Sequence, residues 1–505
     1  MPFDRDKLRL HIQAVKPQDA DEAYRAGLKA LDHRLEAEAL KLIEAARRVH
    51  PLDHRLWQVS GLLHRSLEDL EPALAQFERA AALAPGDPLI AHSLAQVHLE
   101  AGLPSLELFK AAKRLGPQSR GVAIGYAVSL GADVGPEAAI DELDRELASN
   151  PRWLEGHEMI CRLRWQAGEK DSFGASFVRA LKASPRDLPL WQALINMLMQ
   201  GELYDLALRA VVAGRAAAGP HPSFDISEAG CRAELGEWQK ADELFGRLAQ
   251  VDDVMLKVRQ IRHFLRRGRP AEAAELGISM SNSPAAHLFW PYISIAWRLT
   301  GDPRWQWLEG DPRLVGVYQL SEGISSWPEL ANRLRALHTT RNQPFDQSVV
   351  GGTQTVGALF ARIDPEIQAL RRAVADAVRE HVKQLPPADP KHPILSVPRD
   401  APVRFSGSWS VRLLGSGRHS NHVHPLGWMS SALYVSLPEQ DERGPDPAGW
   451  LSLGQPQEQL GITLPPTRLV EPKQGHLVLF PSTMWHGTIP FGGGERLTVA
   501  FDVAR

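Results

Sequence analysis

The sequence predicts a multidomain α + β protein, in which an N-terminal α-solenoid of helix–turn–helix repeats precedes a β-rich barrel or jelly roll with flanking helices. Three observations carry that expectation. Prolines that close helical patterns recur at Pro51, Pro85, Pro117, Pro151, Pro185 and Pro220, at spacings of 34, 32, 34, 34 and 35 residues. The helical texture stops near Gly301. After Pro398 the chain becomes short β-branched or alternating segments between Gly/Pro-rich loops. A chain of 505 residues would ordinarily hold roughly three domains, but a repeat array lengthens by stacking and needs no single core.

A period near 34 residues suits a helix–turn–helix unit in which proline ends the second helix, because it cannot continue one. The unit ending at Pro85 carries Trp57, Gly61, Ala73, Phe77 and Ala80. Small residues at such positions let two helices approach, and the aromatic pair fills the space between neighbouring units. On these residues the unit resembles the tetratricopeptide repeat. The unit ending at Pro185 is more degenerate: Phe173 stands where a small residue is expected, while Phe177 and Ala180 are kept. About eight units are expected between residues 18 and 300, with Pro284 continuing the series. The resemblance implies an inner groove that binds a peptide or a partner helix, or serves dimerisation.

The expected organisation is a repeat solenoid over 1–300, a docked linker over 301–317 and a second domain over 318–505. Trp305, Trp307 and Leu308 make the linker sticky rather than flexible. A helix is expected over 326–338, with Leu330, Leu334 and Leu337 on one face, then a polar loop over 347–355 and a longer helix over 364–384. Strands are expected over 404–414, 428–437, 449–453, 476–480 and 496–503.

Composition excludes several functions. Lys plus Arg number 57 against 60 Asp plus Glu, a net charge of −3, so no basic footprint for nucleic acid or an anionic membrane is visible. Two cysteines, Cys161 and Cys231, cannot build a disulfide framework or a thiolate zinc site, which points to a reducing, cytoplasmic setting. The charged N-terminus does not read as a secretory signal, and no run of about 18 apolar residues suggests a membrane span.

Any metal chemistry must therefore use the 19 histidines or carboxylates. His419, His422 and His424 fall within six residues, and His486 follows 62 residues after His424. Alternation along a strand would place His422 and His424 on one face. A third ligand from a distant strand then completes a facial site with open positions, the geometry of non-haem Fe(II) oxygenases. Arg496 and Thr498, two apart on one expected strand, also share a face, and a guanidinium beside a hydroxyl suits a terminal carboxylate. His419 reads as lining the entrance, His476 as structural, Trp428 and Trp485 as walls, and Asn421 as a candidate substrate contact. A plain cupin would need a glutamate shortly after His424, and residues 426–430 offer none. Zinc would suit three histidines and a water, but a hydrolytic role leaves Arg496 and Thr498 unexplained.

The stretches 347–355, 422–425, 431–435 and 475–482, with His486 and 496–498, together resemble the Fe(II)/2-oxoglutarate-dependent oxygenase superfamily. More closely they resemble its members fused to tetratricopeptide repeats. The resemblance runs from about Tyr318 to the C-terminus. It implies a double-stranded β-helix (jelly-roll) domain, Fe(II) and 2-oxoglutarate as cofactors, and O2 as co-substrate. His422 and His486 match metal ligands, and Arg496 with Thr498 and Tyr434 matches the group holding the far carboxylate of 2-oxoglutarate. His424 departs from the superfamily, which usually places Asp or Glu there. As third ligand it leaves the centre one negative charge short, and three-histidine sites also occur in oxygenases that use no 2-oxoglutarate. The implied catalytic set is His422, His424, His486 and Arg496, and the implied activity is hydroxylation of a peptide or protein side chain presented by the repeats. Two alternatives stay open: a non-catalytic repeat scaffold whose barrel binds metal or 2-oxoglutarate, and a cupin-like three-histidine dioxygenase. The sequence leaves the oligomeric state open, a homo-oligomer included.

Overall fold

The computed structural model of the chain describes residues 5–320, 323–340 and 342–505. By density of internal contact it divides into two compact units, Met1–Glu146 with Gly357–Gln368, and Leu147–Val356 with Ala369–Arg505. Among the described residues no helix is long and apolar enough to cross a membrane.

Between Ala20 and Ser279 the described residues form eight consecutive helix pairs. The proline period has a local cause. Each of these prolines lies just past the end of a helix, and at several junctions the residue two positions on caps the next one. Asp53 accepts from Arg55 N at 3.0 Å, Asp87 from Leu89 N at 2.8 Å, and Asp187 from Leu190 N at 3.3 Å. The proline carbonyl is also used, since Trp57 Nε1 donates to Pro51 O at 3.0 Å and Trp191 Nε1 to Pro185 O at 2.9 Å. Within a pair the small positions do what the repeat pattern implies. A Cβ on Gly61 would lie 2.8 Å from the Phe77 ring, which is fully buried.

The first unit also takes in 357–368, from far along the chain. Ile363 N donates to Ala101 O at 3.2 Å, and Ala361 and Ile363 pack on the cluster of Leu70, Phe77, Val97 and Ala101. In the second unit the degenerate repeat has a use for its large residue. Its second helix is cut short to Ala175–Ala183, and the buried Phe173 lies 5.2 Å, centroid to centroid, from Phe345. The repeat series closes with the helix Trp290–Thr300, ended by Gly301 in the left-handed conformation at φ 67°. Beyond it Leu308 is buried, and Trp307 Nε1 donates to Asp389 Oδ2 at 2.8 Å.

Among the described residues nine strands follow: β1 (Gly316–Gln319), β2 (Val349–Gln354), β3 (Phe405–His419), β4 (Met429–Ser436), β5 (Leu451–Leu453), β6 (Arg468–Val470), β7 (His476–Pro481), β8 (His486–Thr488) and β9 (Glu495–Val503). They form a six-stranded sheet in the order β1-β7-β4-β9-β3-β2 and a three-stranded sheet in the order β6-β5-β8, with antiparallel pairing throughout. Tyr434, Leu451, Leu453, Val478, Phe480 and Met484 form the core between the two sheets. The helices expected over 326–338 and 364–384 appear as Trp327–Leu337 and Pro365–Gln384.

The stretch expected to be a polar loop over 347–355 is instead the edge strand β2. The glycine pair hid it. Gly352 runs so close to β3 that a Cβ would meet Arg412 O at 2.4 Å, and Gly351, at φ +71°, sits where the register shifts. β3 extends five residues beyond the expected end at 414, while β1, β6 and β8 were not expected as strands. The histidine pair His422 and His424 lies just past β3 rather than on a strand.

The division into units falls inside the repeat array because the last repeats and the strands share one core. Trp485, Leu460 and the partly buried Val423 pack with Ile261, Tyr292, Ile293 and Trp297. Trp485 Nε1 donates to Pro291 O at 2.9 Å, and Arg298 Nη2 donates to Pro465 O at 2.6 Å. Trp485 is 2% exposed. Trp485→Ala is therefore expected to destabilise the second unit by about 3–5 kcal/mol, read from urea denaturation of the full chain.

Two histidines brace this unit away from the histidine cluster. His338 bonds Thr353 Oγ1 at 2.8 Å and Ser410 Oγ at 3.1 Å, and His381 bonds Tyr318 Oη at 3.0 Å. Burial pushes both imidazoles down to about 4. In the unfolded chain they take up protons near pH 6.5, so below that pH the unfolded state binds protons that the folded state refuses. Stability is expected to be full above about pH 6.5 and to fall progressively towards pH 4, seen as a declining denaturation midpoint across that window.

Candidate metal and carboxylate site

Two chain segments meet to build the site. His422 N donates to His486 O at 2.9 Å and His486 N to His422 O at 3.0 Å, a reciprocal bridge between the segment after β3 and the start of β8. His424 N donates to Ser482 O at 2.9 Å, in the turn between β7 and His486, which ties the third histidine to the same segment. The pairing supplies the alternation that the sequence assigned to a strand, and both histidines turn to the same side. Ligand atoms of His422, His424 and His486 lie within 4.8 Å of one another.

The hydrogen bonds on the far side of each ring settle which nitrogen is left to bind. His422 Nδ1 donates to Ser420 O at 2.8 Å, and His486 Nδ1 to Met484 O at 3.0 Å. His424 Nδ1 donates to Asp502 Oδ2 at 2.6 Å. A neutral imidazole that donates from Nδ1 presents the Nε2 lone pair, the form a metal needs. Burial, reinforced by the neighbouring rings, holds His422 and His486 well below the usual histidine range. His419 is pushed down to about 3, chiefly by burial and then by the Arg496 charge. Its Nδ1 bonds Ser348 Oγ at 3.0 Å, and the same hydroxyl lies 3.2 Å from His422 Nε2. His419 thus stands beside the cluster, its ring stacked 6.0 Å from His422, and lies outside the converging set.

The carboxylate-binding candidates lie on neighbouring strands between the sheets. Thr498 on β9 pairs with Tyr434 on β4, and Arg496 is two residues away on the same face of β9. Arg496 is 3% exposed. Its Nη1 donates to Gly449 O at 2.8 Å, and its guanidinium carbon lies 5.1 Å from the Tyr434 ring centroid. Arg496 Nε and Tyr434 Oη are buried with no partner among the described residues. Buried donors left over in this way mark a place for an anion, so the residues present fit a carboxylate. Thr498 Oγ1 reaches Val411 O only at 3.5 Å, a weak bond that leaves the hydroxyl available.

Other sequence candidates take structural places. Asn421 Nδ2 donates to Pro456 O at 3.1 Å, and Trp428 Nε1 to Ile394 O at 2.9 Å. His476 begins β7 opposite Gln319. The sequence reading missed Asp502, Ser430, Ser482 and Ser348. Asp502 had a signal, because it continues the alternation of Arg496 and Thr498 along β9. Ser348 and Ser482 fall within the stretches 347–355 and 475–482 that carry the resemblance, but nothing in the sequence singled either out.

Residues 407–502 match the family model described as "Putative 2OG-Fe(II) oxygenase". Among curated proteins nothing matches the chain. Several solved structures are similar to part of it. One is a tetratricopeptide repeat protein from Parabacteroides merdae, at 17% identity over 48% of this chain and 97% of that one, with a TM-score of 0.31. Another is MamA from Desulfovibrio magneticus, at 16% identity over 34% of this chain and 98% of that one, with a TM-score of 0.30. A third is yeast Tom70, at 15% identity over 62% of this chain and 66% of that one, with a TM-score of 0.36. The chain thus joins an array of helix pairs to a region, 407–502, that is similar to the family described as "Putative 2OG-Fe(II) oxygenase".

Proposed function

We propose that the chain is an Fe(II)- and 2-oxoglutarate-dependent dioxygenase, with repeats over 1–300, a linker over 301–317 and the oxygenase domain over 318–505. The observation that carries this reading is one barrel holding both a three-imidazole cluster and a buried arginine–tyrosine pair with unspent donors. His422, His424 and His486 hold the metal through Nε2. Arg496, Thr498 and Tyr434 anchor the far carboxylate of 2-oxoglutarate, the arginine as a fixed fork and the two hydroxyls as orienting groups. Bound Fe(II) with 2-oxoglutarate and O2 supplies oxidation of 2-oxoglutarate to succinate and CO2, with transfer of one oxygen atom into a substrate C–H bond. Phe480, buried and 4.7 Å from the His486 ring, keeps the inner side of the cluster dry. The substrate is a peptide or protein side chain delivered by the repeat groove, a class supported by the repeats alone.

His424 in place of a carboxylate favours one second reading, a three-histidine dioxygenase that does not use 2-oxoglutarate. One assay separates the two. The protein is loaded anaerobically with Fe(II) and 2-oxoglutarate, exposed to air, and succinate is measured. Succinate formation is expected; no succinate and no 2-oxoglutarate binding would overturn the proposal.

Two variants test the residue roles. His486→Ala is expected to abolish metal binding, measured by Co(II) titration. Arg496→Ala removes a charge-assisted anchor worth about 1.5–3 kcal/mol, so 2-oxoglutarate is expected to bind about 10- to 150-fold more weakly by calorimetry, with Co(II) affinity unchanged.

A further inference from the structure

Three neutral imidazoles give a divalent cation no compensating charge, and a buried uncompensated charge is costly. A carboxylate does lie in reach, one bond further out. Asp502 Oδ2 accepts from His424 Nδ1 at 2.6 Å. Its other oxygen accepts from Ser430 Oγ at 2.6 Å, and Ser482 Oγ lies 3.0 Å from Ser430 Oγ. Ser430 has one proton, committed to the carboxylate, so Ser482 donates to Ser430. The chain of bonds is closed in by Gly427, where a Cβ would meet Ser482 Oγ at 2.6 Å and Asp502 Cβ at 3.3 Å. Trp409 lies against the other side of the His424 ring, at 5.4 Å and 35°. The carboxylate is thereby fixed in position and aimed at one ring nitrogen. His424 differs in this from the other two: the Nδ1 groups of His422 and His486 donate to neutral backbone carbonyls.

We propose that Asp502 is a positioning residue that supplies the centre's negative charge through the ring of His424. By accepting the Nδ1 proton in a charge-assisted bond, it locks the tautomer and makes His424 Nε2 the most electron-rich of the three donors. Ser430 and Ser482 hold the carboxylate in that orientation. The proposal rests on the metal-centre reading above, and the experiment keeps the two apart.

The probe is Co(II), titrated into the full-length protein without 2-oxoglutarate and followed by its visible absorption and by competition with a chelator. Asp502→Asn retains an acceptor of the same shape and removes the charge. It is expected to weaken Co(II) binding about 10- to 100-fold and to shift the absorption bands. Asp502→Glu, which restores the charge, is expected to recover part of the affinity. Ser430→Ala, which leaves the carboxylate but frees it to turn, is expected to weaken binding in the same direction by a smaller factor. Asp502→Asn binding within twofold of wild type with unchanged bands would overturn the proposal while leaving the metal centre intact. Failure of wild-type protein to bind Co(II) at all would overturn the metal-centre reading and this inference with it. Should Asp502→Asn fail to fold, judged by near-UV circular dichroism, the Ser430→Ala titration decides, and unchanged affinity there counts against the proposal.

Discussion

The reciprocal backbone bridge between His422 and His486 is the contact on which the candidate site depends. Each of the two histidines spends its backbone N–H and C=O on the other, so the backbone positions from which the two rings project are fixed relative to each other. A further backbone bond, His424 N to Ser482 O, ties the third histidine to the turn before His486. An isolated bridge would be weak in open solvent, but this one is flanked by strands. β8 pairs with β5 immediately beyond His486, and β3 ends three residues before His422. The sheets thus hold the two ends, and the bridge fixes the two histidine backbones between them. Positions set in this way by backbone pairing are more exact than positions left to loop side chains.

The same short segments carry a second duty. Val423 lies between two of the histidines and Trp485 directly before the third, and both face the core made by the last repeats. In the second unit the residues that alternate inward towards the histidine cluster therefore alternate outward into repeat helices. Trp485 anchors this arrangement twice, by its ring against Tyr292 at 5.8 Å and by its N–H on Pro291 O.

The repeat array was legible because its signal is redundant. Proline recurs at a nearly constant spacing, and at Pro51 and Pro185 an aspartate cap two residues on and a tryptophan six residues on accompany it, each with its own physical cause. The histidine cluster was legible for a different reason: few residue types bind metals, and four histidines gather in two short segments. What sequence reasoning missed is what depends on tertiary pairing. β2 was hidden because Gly351 and Gly352 have low strand propensity, yet close approach to β3 requires glycine there. Ser348 follows from that strand and could not be placed without it. The strand assignment for His422 and His424 was wrong in kind and right in consequence, since any extended pairing alternates side chains. The excursion 357–368 had no sequence signal, because its partners Ala101 and Phe77 lie more than two hundred residues earlier.

Charge is distributed in the barrel so that two ligands of opposite sign each meet a prepared partner. Arg496 is buried against the Tyr434 ring face, which stabilises a cation without consuming its hydrogen-bond donors. One donor is spent on Gly449 O, which holds the guanidinium in plane, and another remains unspent. A guanidinium buried on these terms carries a desolvation cost that an aromatic face and one carbonyl offset only in part. A carboxylate arriving there would remove the remainder, and this favours a dicarboxylate over a neutral ligand. At the histidine cluster the sign is reversed. Burial opposes protonation of His422 and His486, and Asp502 accepts from His424 Nδ1. The second unit thus keeps a buried positive charge at Arg496 and a largely buried carboxylate, Asp502, against His424.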